Sequence, residues 1–186
     1  QRPFLKRVID GRRKFSGNPD SLNNYTKSIF RDVFCSSAQK SDCLELLRTI
    51  ARLIGNDTLT DKLKSISWHS QNGKFYLPGN VYFDANGSSY DAHLKTTVDQ
   101  ISVGVDPFDE LLLRTNIRLC NDLLRGYVQF DHIQPLLKRI DSHLPGLKKV
   151  LIVVGSAGSE KTLTVISLKK CNAEVKKILP LLIAKH

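Results

Sequence analysis

Ser65-Ile-Ser-Trp-His69-Ser-Gln-Asn72-Gly73-Lys74-Phe-Tyr-Leu77-Pro78-Gly79-Asn-Val81-Tyr-Phe83 is the stretch that decides the fold class. Two short runs rich in aromatic and β-favouring residues, Ser65 to His69 and Lys74 to Leu77, flank Asn72-Gly73. That dipeptide is the strongest short-range hairpin signal. Pro78-Gly79 marks a second turn and Val81 to Phe83 a third run. After a further turn at Asn86-Gly87, residues Tyr90, Ala92, Leu94, Thr96 and Val98 alternate at period two. This predicts an antiparallel meander of three or four strands over about 65–105, continued by Ile101 to Val105.

Helices surround this stretch. Asp20 or Ser21 caps a helix to about Phe34, with apolar residues at 22, 25, 29, 30, 33 and 34. Asp42 with Glu45 opens a second, carrying Leu44, Leu47, Ile50, Leu53 and Ile54 and stopping at Gly55. Asp106-Pro107, a cap followed by proline at the first helical position, opens a long one. Its wide apolar stripe, Phe108, Leu112, Leu119 and Leu123 beside Leu113, Ile117, Cys120 and Leu124, predicts a central, heavily buried helix. Asp131 with Gln134 opens another to about His143, which Leu144-Pro145-Gly146 is expected to break. Lys149 to Val154 and Thr162 to Leu168 read as a C-terminal hairpin, and Asn172 as the cap of a last helix. The expectation is an α+β fold: an antiparallel sheet (the meander plus the hairpin at about 149–168) packed with four to five helices. A basic arm, 1–18, precedes one globular domain, 19–186.

Composition bounds the function. The 186 residues are 41% hydrophobic and 25% charged, ordinary for a chain that buries its own core. No apolar run approaches the roughly 20 residues that span a bilayer. The net charge is +10. Residues 1–14 carry +5 and 136–186 carry +7, around a middle of −2. The basic candidates are Arg2, Lys6, Arg7, Arg12, Arg13 and Lys14 at one end. At the other they are Lys138, Arg139, Lys148, Lys149, Lys169, Lys170, Lys176 and Lys177. Charge placed this way suggests a patch for a polyanion (sulfated glycan, nucleic acid or acidic membrane surface); the plain alternative is a solvated face that keeps the chain soluble.

The chain begins at Gln1 and contains no Met, which reads as a processed or excised product. Four cysteines permit two disulfides in three connectivities. A helical hairpin closed at Ser36 to Asp42 would bring Cys35 to Cys43 and leave Cys120 for Cys171; the alternative is buried thiols. Three acceptor patterns for N-glycosylation occur, at Asn24, Asn56 and Asn86, all expected to be exposed.

Catalytic readings are weaker. Gly155-Ser-Ala-Gly-Ser-Glu160-Lys161-Thr162 resembles a phosphate-binding loop. However, Glu160 occupies the glycine position, and a strand pattern follows where a helix is needed. The histidines at 69, 93, 132, 143 and 186 lack metal-ligand spacing. Asp106, Asp109 and Glu110 fit the first turn of a helix better than an acid/base pair. The aromatics Phe75, Tyr76, Tyr82, Phe83 and Tyr90 would stack bases only if they shared an exposed face. The sequence offers no catalytic residue, cofactor or metal motif. Its leading reading is a non-enzymatic binding module of a secreted or luminal glycoprotein, engaging a protein partner or polyanion. The second is an intracellular, viral-type nucleic-acid-binding domain. The third is an enzyme whose site only the fold assembles.

Overall fold

In the computed structural model of the chain, the residues described are 19–149, with positions 3, 169, 173, 176 and 177. Helices α1 (Pro19–Phe34), α2 (Asp42–Leu53) and α3 (Asp57–Ser65) lead into strands β1 (Ser67–His69), β2 (Lys74–Leu77) and β3 (Val81–Tyr82). A helical segment over 88–99 follows, here α4, built from Ser88–Tyr90, a π turn at Asp91–Lys95 and Thr96–Asp99. Then come α5 (Pro107–Leu124) and α6 (Phe130–Lys148). The fold is α+β. It divides after Lys138, within α6, into two compact units.

The three strands pair antiparallel in the order β1-β2-β3, with Trp68 opposite Phe75 and Tyr76 opposite Tyr82. The first turn spans four residues. Gly73 closes it at φ +60°, a left-handed conformation that suits glycine, and its N–H donates to His69 O at 2.9 Å. Side chains alternate across the sheet. Phe75 and Phe83 enter the core, and Phe34 of α1 meets them at ring distances of 5.3 and 4.7 Å.

Gln39 joins the sheet to α1. It is buried; its Nε2 donates to Phe34 O (2.8 Å) and Phe83 O (2.9 Å), and its Oε1 accepts from Phe75 N (2.7 Å). Helices α2 and α5 form the most extensively packed helix pair among the described residues. As the stripe predicts, α5 is buried all round between Leu113 and Ile117. Its cap is Asp106, whose carboxylate accepts from Phe108 N (2.8 Å) and Asp109 N (3.0 Å).

Two expectations fail, and one element was not foreseen. Residues 90–98 are helical, and no strand forms at 101–105. Tyr90, Leu94 and Val98 are buried at a spacing of four, whereas Ala92 and Thr96, which a strand would bury with them, are exposed. Residues 57–65, unassigned from the sequence, form α3. Asn56 caps it by accepting from Leu59 N at 2.9 Å, and Leu59 and Leu63 supply the buried face. Arg48 closes the other end, donating to Leu63 O and Ile66 O. Finally, α6 continues through Pro145 to Lys148. Pro145 lies in the final turn, where a missing N–H leaves few bonds to propagate. The expected arm at 1–18, the hairpin at 149–168 and Cys171 lie outside the described residues, apart from positions 3 and 149.

Candidate binding surface

The sheet's outer face gathers Ser67, His69, Lys74, Tyr76, Tyr82 and Asp84, because register places positions of this parity together. His69 lies edge-on to Tyr76 (5.8 Å) and Tyr82 (5.7 Å), and the tyrosine rings are 5.9 Å apart. All three are half-buried, and Lys74 pairs with Asp84 beside them. Of the five aromatics read from the sequence, the fold therefore sends Phe75, Phe83 and Tyr90 inward. Tyr76 and Tyr82 remain on one outer face, joined by His69. Alternation gives this split among the strand residues, Tyr90 turns inward from helix α4, and His69 as third member follows from strand register.

The basic candidates fall into two sets. Lys138, Arg139, Lys149, Lys169, Lys176 and Lys177 are exposed, and Lys148 is half-buried. Positions 176 and 177 are helical. Arg2, Lys6, Arg7, Arg12, Arg13, Lys14 and Lys170 lie outside the described residues.

Each acceptor asparagine occupies a different local structure. Asn24 is exposed on α1, while Thr26, two residues on, is fully buried with its hydroxyl unbonded. Asn56 is half-buried, a correction to its expected exposure, because its Oδ1 caps α3. Asn86 is exposed in the turn before α4, and its Oδ1 accepts from Ser88 N (3.1 Å) and Ser88 Oγ (3.2 Å). A glycan bonds to the amide nitrogen, so these caps through oxygen remain available at Asn56 and Asn86.

Cys35, Cys43 and Cys120 are free thiols. Cys35, at the end of α1, is half-buried. Its Sγ sits 3.4 Å from where a Cβ on Gly87 would lie, and Gly87 itself has φ +79°. Cys43 and Cys120 are fully buried, and their side chains hydrogen-bond to each other. Burial raises the Cys35 thiol pKa and raises that of Cys120 well above the usual range.

A polar seam runs between α1 and α5. Asn121 donates to Tyr25 Oη at 3.2 Å, and Arg118 pairs with buried Asp122 at 3.1 Å. Burial raises the Tyr25 pKa despite nearby Arg118. Asp106, Glu110 and Asp109 behave as first-turn acids: Asp106 caps α5, and Glu110 pairs with buried Arg114 at 2.6 Å. Among the described residues no three His, Cys, Asp or Glu side chains converge as a metal site, and no helix is long and apolar enough to cross a membrane. A cleft of about 230 Å³ lined by Lys62, Ser65, Ile66, Leu77, Ala92, His93 and Leu94 is smaller than ordinary small-molecule sites. No protein-family model, curated protein or solved structure matches the chain.

Proposed function

We propose that this chain is a non-enzymatic binding module of a secreted or luminal glycoprotein, and that it engages a polyanion, or a protein presenting an acidic surface, through its basic residues. The observation that carries the reading is the exposure of Lys138, Arg139, Lys149, Lys169, Lys176 and Lys177 in a segment of net charge +7. Asn24, Asn56 and Asn86 are its proposed glycan acceptors. The reading extends to Lys149–Val154 and Thr162–Leu168 as a C-terminal hairpin leading into Lys169 and Lys170. Binding to an immobilised sulfated glycan should weaken at least about tenfold between about 50 and 200 mM salt. Alanine at Lys169, Lys176 and Lys177 together should weaken it further. Affinity indifferent to both changes rejects the polyanion. Mass measurement of native protein before and after deglycosylation tests the other half: a mass equal to the bare chain rejects glycosylation.

The second reading, a nucleic-acid-binding domain inside the cell, is favoured by the outer face of Tyr76, Tyr82 and His69. Aromatic faces beside positive charge suit base stacking. It requires that a single-stranded oligonucleotide quench tyrosine fluorescence and that Tyr76→Ala with Tyr82→Ala weaken binding at least about tenfold. A double variant that binds as the parent does leaves only the phosphate-type charge contact of the first reading.

A further inference from the structure

We infer that Cys43 and Cys120 form a disulfide that locks α2 to α5, in place of the local Cys35–Cys43 pairing that the sequence suggests. Cys43 lies in the first turn of α2 and Cys120 in the C-terminal half of α5. These two helices make the most extensive helix contact of the described residues. Both side chains have no exposed surface, belong to one core cluster and hydrogen-bond to each other. Cys35 lies instead at the end of α1 against Gly87. A bond between these two buried, interacting sulfurs would join helices that already pack against each other.

The chemistry needs an oxidant, here a small or enzyme-borne disulfide such as oxidised glutathione. One cysteine thiolate attacks it, forming a mixed disulfide and releasing one glutathione thiolate. The second cysteine thiolate attacks the protein sulfur of that mixed disulfide and releases the other. Two protein thiols become one S–S bond; their two electrons reduce the oxidant, and their two protons end, by way of solvent, on the two glutathione thiols released. Access sets the timing. With both sulfurs buried and Cys120 held protonated, the folded dithiol is inert, so the bond forms while α2 and α5 are still closing.

The inference does not depend on the proposed glycoprotein role, because it concerns sulfur pairing in any oxidising folding environment. The full chain is refolded from denaturant with reduced and oxidised glutathione, alkylated and mapped by proteolysis and mass spectrometry. A peptide joining Cys43 to Cys120 is expected; Cys35–Cys43, Cys120–Cys171 or unbonded Cys43 and Cys120 overturns the pairing. Cys35→Ser with Cys171→Ser leaves only the inferred pair. Its oxidised monomer should melt about 10 °C above the same variant reduced, since the bond closes a long loop. An equal or lower melting temperature overturns the stabilising role, and the wild-type map decides the pairing if that variant does not fold. Folded, reduced chain given the same oxidant should form the bond no faster than it globally unfolds. Faster oxidation overturns the proposed order of events.

Discussion

Gln39 satisfies three backbone groups from three places in the chain: Phe34 O, Phe83 O and Phe75 N. Truncation leaves all three without a partner in a buried setting, and each such group costs about 1–3 kcal/mol. Gln39→Ala should therefore lower unfolding free energy by roughly 3 kcal/mol or more, read as a lower urea midpoint at unchanged slope. An effect under about 1 kcal/mol would mean that these groups find other partners. Thr26 is the converse case, a buried hydroxyl with no bond to lose. Thr26→Val should stabilise the fold by about 1 kcal/mol and also abolish the Asn24 acceptor pattern. Because Thr26 is buried in the folded chain, a glycan on Asn24, as the proposed glycoprotein reading requires, would have to be attached before folding, whereas Asn86 is exposed in its turn. Tyr90 bears on pH. Burial, assisted by Asp99, raises its phenol pKa. The folded state therefore holds this proton when the unfolded chain has lost it. The associated stability is complete below the unfolded pKa of about 10 and falls as pH rises above it. Tyr90→Phe should flatten that alkaline decline; an unchanged decline would assign it to other groups.

At the scale of elements, the legible parts were those with both a stop signal and a long stripe. Helices α1, α2 and α5 each have ten or more residues of periodic apolar pattern, and α5 adds the Asp106 cap; the caps expected at Asp20 or Ser21 and at Asp42 fall inside α1 and α2, whose preceding Ser41 makes no capping bond. The hairpin turn at Asn72-Gly73 was legible because glycine's left-handed conformation is a local requirement. The misreading of α4 has an arithmetic cause. A helical face at i, i+4 and i+8 is a subset of every period-two pattern, so Tyr90, Leu94 and Val98 satisfy both. Only the exposure of Ala92 and Thr96 separates them. Lysine at position 92 or 96 should consequently change stability by less than about 0.5 kcal/mol. Leu94→Ala should cost about 2–5 kcal/mol. Comparable losses at 92, 94 and 96 would restore the strand. Helix α3 escaped for lack of length: nine residues offer just two buried leucines, and its start was visible only in Asn56, which also serves as an acceptor pattern. The outer aromatic face was half legible. Alternation separates Tyr76 from Phe75, but adding His69 needs the register between strands. The meeting of Cys43 and Cys120 was not legible at all, since it depends on how α2 docks on α5 across 77 positions of sequence.

At the scale of the molecule, the charge distribution makes a claim that no single residue carries. Net charge of +10 costs the folded state self-repulsion, and that cost is greatest at low ionic strength. A polyanion that binds the folded chain removes part of it and also stabilises by mass action. At a hundredfold excess over the dissociation constant this linkage contributes about 2.7 kcal/mol. For a chain of this length the melting temperature should rise by roughly 5–11 °C. The rise should shrink steeply at high salt, because both self-repulsion and polyanion binding are screened. Salt alone should also raise the melting temperature modestly, by relieving self-repulsion. Alanine at Lys169, Lys176 and Lys177 together separates the two contributions. Losing the polyanion-induced rise while keeping the salt-induced one marks these exposed lysines as contacts rather than as general charge. If the polyanion raises the melting temperature equally in the parent and the variant, binding lies elsewhere on the chain. If it raises neither, the basic charge acts for solubility alone.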